Sequence, residues 1–384
     1  MRKEAPLGGY MDDPFDTICA HIEALTARPA PEGVLAGALA RISPEGDERA
    51  AIFGRATPGG PPVEDAGVRV RVASISKAAT ARAVVETVLA GWLSLDEPLV
   101  EVIGWDDAPA QVRKVRIRHL LSHLSGLTDH GGYIVDPPGS VTAFIEATPT
   151  ALSGDAPGMF FRYANLNYVL LGQVLEVVRG ERFDSILRRL VLEPAGIAGG
   201  FNWAGVDERK RRLPLYQWTG GRLVLQVDGP EAEWDADLIW RDGAGQSLED
   251  WRPGVQTSWF SPHAGLRMSV SEAARLARLI GRDDAAGRMQ REVQWAHDGK
   301  NGEDGDGLFQ RFALGLSVYE GHPRIPGKLV GHAGHALGFS GGAWFDQGSG
   351  TAWAYFLLGM PDLTEGQDEE AFYAEDELFI LRQF

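Results

Sequence analysis

The stretch VRVASISKAATARAVVETVLAG, residues 70–91, sets a small polar group at the mouth of an apolar helix. Ser74-Ile75-Ser76-Lys77 is an S-x-x-K motif, and a spacing of three puts Ser74 and Lys77 one turn apart on the same helical face. Ala83, Val84, Val88 and Leu89 fit a buried stripe, with Gly91 as the stop. The free N–H groups and the dipole of a helix start favour negative charge, which suits an alkoxide at Ser74 and disfavours a protonated Lys77. Lys77 then has the makings of a base near neutral pH. Four loosely specified positions recur by chance, so the motif needs partners elsewhere in the chain.

The chain has 384 residues, enough for one large or two interleaved domains, and its apolar fraction of 44% and charged fraction of 23% are those of an ordinary globular protein. A net charge of -16 argues against nucleic acid as a partner, because no basic stripe exists to displace counterions from phosphate. The single cysteine, Cys19, cannot close an internal disulfide and reads as a buried structural thiol. The opening MRKEAPLGGYMDDPFDTI has no apolar signal-peptide core, and no later run reaches the roughly eighteen apolar residues of a membrane span. These features predict a cytoplasmic protein without a membrane partner; the oligomeric state is left open.

Residues 14–28 carry Phe15, Ile18, Ile22 and Leu25 at helical spacing, and residues 34–42 and 50–55 are two strand-like runs joined by the turn Ser43-Pro44-Glu45-Gly46-Asp47. Residues 116–124 predict a compact helix ended by Gly126, with His119 and His123 at i and i+4. Such a pair can chelate zinc, but neither the glutamate of H-E-x-x-H nor a third ligand accompanies it, so the two read as structural histidines. No metal or cofactor is expected. Residues 201–260 hold Trp203, Trp218, Trp234, Trp240, Trp251 and Trp259 among Gly, Asp and Pro, with a hairpin signal at Thr219-Gly220-Gly221. This insertion reads either as the wall of a substrate pocket or as a long loop held together by its own aromatics. Residues 269–280 predict an amphipathic helix begun by Ser271 and Glu272. Strand character returns at 312–319, 329–331, 342–345 and 351–358, and residues 369–384 predict a closing helix with Phe372, Leu378 and Leu381 inward.

Strands at both ends with helices between predict an α/β (α+β) fold. An antiparallel sheet is flanked by helices from both chain ends, and a mainly helical domain is inserted. The boundaries fall at 1–75 and 300–384 for the discontinuous sheet domain and at 76–299 for the helical one, the latter including the 201–260 insertion.

Two further polar clusters accompany the first. Tyr163-Ala164-Asn165 lies on a loop just ahead of an apolar helix carrying Leu171, Val174, Leu175 and Val178, where polar groups are exposed yet rigidly held. His332-Ala333-Gly334-His335 comes after a strand-like lead-in, and its small residues permit close approach of a substrate backbone. Gly338-Phe339-Ser340-Gly341-Gly342 matches the G-x-S-x-G nucleophile elbow, but residues 343–348 beyond it read as a strand leading to a turn rather than the required helix.

In this order, S-I-S-K at Ser74, Y-A-N at Tyr163 and H-A-G at His332 resemble the serine β-lactamase and penicillin-binding-protein superfamily. They are most similar to its class C branch, which includes family VIII carboxylesterases, D-aminopeptidases and D,D-peptidases. The run from Ile117 to Leu127 (IRHLLSHLSGL), that from Pro157 through Asn165 to Gly172, and residues 261–278 are similar to that branch as well. The resemblance implies a β-lactamase/transpeptidase-like fold in which Ser74 is the acylated nucleophile. Lys77 is then its proton acceptor or the group that tunes Tyr163, and Tyr163 is general base and then acid. Asn165 orients Lys77 and the substrate, His332 and Gly334 line the substrate strand, and the backbone N–H groups of Ser74 and His335 form the oxyanion hole. One position departs from the β-lactamase pattern: K-T-G is usual at the third cluster, with the lysine holding a substrate carboxylate, and here the residue is His332.

These readings predict a cofactor-free serine hydrolase cleaving a small ester or an amide, including D-amino-acid amides or peptides, through an acyl-enzyme. A β-lactamase or D,D-peptidase is the alternative within the same chemistry. A catalytically silent ligand-binding or scaffold protein with this fold is the alternative outside it, and the intact quartet Ser74, Lys77, Tyr163 and Asn165 speaks against that.

Overall fold

The computed structural model describes residues 13–135, 139–203, 212–227, 238–241, 244–247, 251–305, 307–361 and 373–384. Trp234, Phe372 and residues 136–138 fall outside these. The elements that position the site are α1 (Pro14–Thr26), β1 (Ala36–Ile42), β2 (Glu48–Gly54), α2 (Ser76–Leu89), α3 (Leu166–Arg179) and α4 (Val270–Gly281), then β3 (Trp295–Ala296), β4 (Arg311–Phe312), β5 (Ser317–Tyr319), β6 (Leu329–Ala336), β7 (Phe339–Asp346), β8 (Ala352–Leu358) and α5 (Glu375–Leu381). The eight strands form one antiparallel sheet in the order β2-β1-β8-β7-β6-β5-β4-β3, so strands from both chain ends meet where β1 pairs β8. Short helices at Ile117–Leu121, Val141–Ala147 and Phe183–Leu187 surround α2 and α3.

Strand alternation divides the sheet into two faces. Leu39, Trp344, Tyr355 and Leu357 pack with Phe15, Ile18 and Ile22 of α1 and Leu378 and Leu381 of α5. On the opposite face, Ala38, Ala40, Ala343 and Ala354 meet Ala273, Ala274 and Ala277 of α4. Small side chains on both partners let α4 lie close: a Cβ on Gly281 would come within 2.2 Å of the Phe345 ring. The mixed α/β architecture read from the sequence is the one that forms.

Several local readings change. Helix α2 is buried nearly all round rather than along one stripe, while Leu89 is exposed where the helix reaches the surface. The predicted 312–319 strand is broken into β4 and β5 at Gly315, φ 75°, where a Cβ would sit 2.4 Å from that of Ala81. The helix predicted to 124 ends at Leu121, because His123 adopts φ 57°. Cys19 is half-buried rather than buried, with burial pushing its thiol up to about 11. In the tryptophan-rich insertion, Leu215–Thr219 and Arg222–Val227 form the expected hairpin, with Gly220 and Gly221 both at positive φ. Trp203 is buried between the guanidinium groups of Arg212 and Arg267, at 5.2 and 5.3 Å.

The N-terminus of α4 is closed by Ser269, not Ser271: the Ser269 hydroxyl accepts the Glu272 N–H at 3.3 Å and the Glu272 carboxylate accepts the Ser269 N–H at 2.8 Å. Glu272 is also clamped by Arg69, whose Nη2 donates to it at 2.7 Å. Replacing Ser269 with Ala is expected to remove about 1 kcal/mol of stability in equilibrium urea unfolding, whereas Ser271→Ala leaves the midpoint unchanged.

Candidate active site

Ser74 lies in a single 3₁₀ turn, Ala73–Ile75, immediately before α2. Ala73 takes φ 46°, a conformation costing about 1–3 kcal/mol for a residue with a Cβ. The kink leaves Ser74 half-exposed at the start of the helix while Lys77, one turn on, is buried. Ser76 locks the turn: its hydroxyl donates to the Ala73 carbonyl at 2.6 Å and accepts the Leu266 N–H at 3.0 Å.

The Lys77 amine donates to Ser74 Oγ at 2.9 Å, to Asn165 Oδ1 at 2.7 Å and to the His263 carbonyl at 3.2 Å. Burial dominates its protonation, bringing the amine down to about 7, against a smaller pull upward from Asp129. Tyr163 closes the other side of Ser74. The two hydroxyls share a hydrogen bond, the Lys77 amine lies 4.9 Å from the Tyr163 ring centre, and burial holds the phenol above its ordinary range.

The Tyr163 ring is stacked between His123, at 4.3 Å, and Phe309, at 5.3 Å. His123 is a support rather than a helical metal ligand. Its Nδ1 accepts the Ala164 N–H at 3.2 Å and faces Asn167 Nδ2 at 3.0 Å, while its carbonyl accepts the Arg162 N–H at 3.0 Å. His119 points elsewhere, its Nδ1 accepting the Arg116 N–H at 3.2 Å. Among the described residues, no three His, Cys, Asp or Glu side chains converge as a metal ion requires.

Four non-glycine residues with positive φ are present among the described residues, and three of them, Ala73, His123 and Ser261, border this group. Ser261 turns the chain so that the next two carbonyls face α2, Pro262 accepting from Thr80 at 2.7 Å and His263 from Lys77.

Strand β6 supplies the third cluster. A Cβ on Gly334 would meet the Val72 carbonyl at 2.6 Å and Ile75 N at 3.2 Å, so only glycine lets the strand approach the Ser74 turn. Leu337 and Gly338, at φ 58° and 78°, make a two-residue turn into β7. In that register Ala336 and Gly334 exchange hydrogen bonds with β7, which directs the N–H of His335 to the other edge of β6. Among the described residues β5 pairs with β6 only as far as Gly331, and the edge beyond has no strand on it.

His332 is buried, its centroid 6.1 Å from that of Tyr163, and Nδ1 lies 2.5 Å from the Ala333 carbonyl. Burial first, then the charge of Lys77, pushes it down to about 3, so it is a neutral imidazole. The His335 imidazole lies across the sheet from this group, with Nε2 3.1 Å from Oε1 of the buried Glu377 on α5. Ser340 is buried as the second residue of β7 with a strand on each side, which excludes the strand–turn–helix of a nucleophile elbow.

The structure thus brings Ser74, Lys77, Tyr163 and Asn165 together, with His332 and Gly334 beside them and only the backbone of His335 on their side. Asp129, the His263 carbonyl and the His123 support escaped the sequence reading. All three act through turns that periodicity does not register.

The sheet, the helices packed on it and the Ser–Lys–Tyr cluster at their junction define a member of the serine β-lactamase/transpeptidase superfamily. The Beta-lactamase family model matches residues 20–377, and the chain belongs to that family. Among solved structures it resembles the D-amino acid amidase of Ochrobactrum anthropi SV3, with a TM-score of 0.70 at 18% identity over 96% of this chain and 97% of that one. The hydrolase EstCE1, described as having promiscuous acyltransferase activity, gives 0.67 at 19% over 96% and 98%. The octameric penicillin-binding protein homologue of Pyrococcus abyssi gives 0.65 at 22% over 90% and 73%. At these identities the likeness is one of fold. Penicillin-binding protein 4 of Amycolatopsis lactamdurans is 33% identical over 129 residues, 32% of this chain and 33% of that protein. The fimbrial assembly protein FimD, serogroup D, of Dichelobacter nodosus, itself described as putative, is 31% identical over 127 residues, 31% of each. Each of these two matches spans about a third of the relative's own length. Among the described residues no helix is long and apolar enough to cross a membrane.

Burial of Lys77 has a consequence for stability. With the native amine at about 7 and the unfolded one near 10.5, only the unfolded chain holds the proton between those values, so stability rises with pH across that window and is lost as pH falls toward 7. Relative to Lys77→Met, the wild type is expected to gain about 2–3 kcal/mol from pH 7 to pH 9 in urea unfolding.

Proposed function

We propose that the protein is a serine hydrolase that cleaves an ester or amide bond through an acyl-enzyme on Ser74. The observation that carries this reading is the buried Lys77 amine, brought to about 7 while hydrogen-bonded to Ser74 Oγ at 2.9 Å. An amine with that protonation accepts the serine proton as Oγ attacks the acyl carbon. Tyr163, kept in its phenol form, is the donor to the leaving group and passes on a proton rather than abstracting one. Asn165 Oδ1 holds the amine in line with Oγ. The backbone N–H groups of Ser74 and His335 receive the negative charge of the tetrahedral intermediate, such donors commonly being the largest electrostatic contribution in acyl transfer. Water then attacks the acyl-enzyme and releases Ser74.

His332 bears on the substrate. A neutral buried imidazole offers no positive charge to a carboxylate where β-lactamases usually carry a lysine, so the reading favours esters and amides that lack a carboxylate, D-amino-acid amides among them, over penicillins. The likeness to a D-amino acid amidase and to the hydrolase EstCE1 supports the same range.

Intact-protein mass spectrometry after brief mixing with a short-chain p-nitrophenyl ester is expected to show an acyl adduct in the wild type and none in Ser74→Ala, whose kcat/KM falls by at least about 1000-fold. An adduct that survives the substitution overturns the reading. A parallel penicillin arm separates an esterase or amidase, which turns over the ester and not the penicillin, from a β-lactamase, which turns over the penicillin.

The pH profile is a separate test. With Lys77 as base, kcat/KM for the ester is expected to climb as the amine loses its proton, with a midpoint near the value of about 7 set by burial. A profile flat from pH 6 to 8 argues against Lys77 in that role.

A further inference from the structure

One carboxylate whose charge Lys77 senses has no part in the chemistry above. Asp129 lies beyond the strained turn at His123 and sits half-buried at the start of α3. Its Oδ2 accepts the Asn165 N–H at 2.7 Å and its Oδ1 the Leu166 N–H at 3.2 Å. It also shares a hydrogen bond with the Asn165 side chain. A primary amide has one donor end and one acceptor end, and a carboxylate only accepts, so Nδ2 of Asn165 is committed to Asp129. Oδ1 is thereby turned toward Lys77, which donates to it at 2.7 Å.

We propose that Asp129 is the positioning residue of this site, holding the Asn165 amide in the one orientation that receives Lys77 and supplying the negative charge that Lys77 senses. The proposal rests on the acyl-enzyme reading, in which the placement and charge of Lys77 set the rate.

The surroundings of Lys77 single out this carboxylate. Tyr163 and Tyr168 present ring faces at 4.9 and 5.7 Å, and His263 presents a carbonyl. His123 and His332 both sense the charge of Lys77 and are held neutral by burial. Asp129 is the group whose charge favours the protonated amine, and its own carboxyl is raised by burial against the pull of its hydrogen bonds and of Lys77. A carboxylate that merely capped α3 would change stability and leave kcat where it was.

The test is the Lys77 titration in ¹⁵N-lysine-labelled full-length protein, with the resonance assigned by its loss in Lys77→Met, comparing wild type with Asp129→Asn. Removing the charge is expected to lower the Lys77 midpoint by about one pH unit and to move the acid limb of ester acylation down with it. Misplacement of the amine is expected to lower kcat by roughly 10–100-fold with KM little changed. A folded Asp129→Asn protein with an unmoved Lys77 midpoint overturns the proposal, whatever happens to its melting temperature. Should Asp129→Asn not fold, Asp129→Ser keeps an acceptor for the helix N–H groups, lacks the charge and carries the same test. Absence of an acyl adduct in the wild type strikes the acyl-enzyme reading alone, since the Lys77 titration judges Asp129 without any turnover.

Discussion

Removing the Lys77 amine from water is the constraint on which the site depends. An ammonium without solvent is costly unless acceptors surround it, and here the acceptors come from three separate parts of the chain: Ser74 beside it on the same turn, Asn165 at the start of α3 and the His263 carbonyl. The three direct acceptors are uncharged, so they satisfy the hydrogen bonds but not the full charge, and the Asp129 carboxylate behind Asn165 offsets burial only in part. Deprotonation becomes easy, and a residue that is ordinarily a cation loses its proton near neutral pH. The same burial holds Tyr163 as a phenol and His332 as a neutral imidazole, so one low-dielectric surrounding sorts three titratable groups into different protonation states.

The backbone is bent to make this possible. Ala73 presents Ser74, His123 supports the Tyr163 ring and Ser261 turns two carbonyls toward α2, each from a left-handed conformation unfavourable to its side chain. Such strain persists because regular structure outweighs it. Helix α2 is buried on nearly every side, α3 is apolar along most of its length, and the sheet is closed on one face by α1 and α5 and on the other by α4. Strand β6 links the sheet to the site: one face reaches the Ser74 turn through Gly334, while on the other His335 meets the buried Glu377, to which Tyr355 also donates at 3.0 Å.

Membership of the Beta-lactamase family, with fold-level relatives at 18–22% identity, shows how widely sequence varies on one scaffold. Next to the Ser74 group stands a neutral histidine, His332, and a tryptophan-containing insertion folds in part as a hairpin whose Trp218 backbone N–H donates to the Met360 carbonyl.

Much of the architecture was legible along the chain. The helical spacing of Phe15, Ile18, Ile22 and Leu25, the turn between β1 and β2, and the return of strand character near the C-terminus depend on side-chain periodicity and turn chemistry, which are local. The S-x-x-K, Y-x-N and H-x-G clusters were legible as residue types in a given order. Their order leaves undetermined the set of contacts between segments far apart in sequence: that the His335 imidazole crosses to Glu377, that His123 leaves its helix to lie under Tyr163, and that Asp129 reaches Asn165. The sequence by itself determined which groups were available and on which kind of element each would stand. Only the tertiary structure decided which of them lost water together, and burial, which no single segment imposes on its own, brings the loss of the Lys77 proton down to about pH 7.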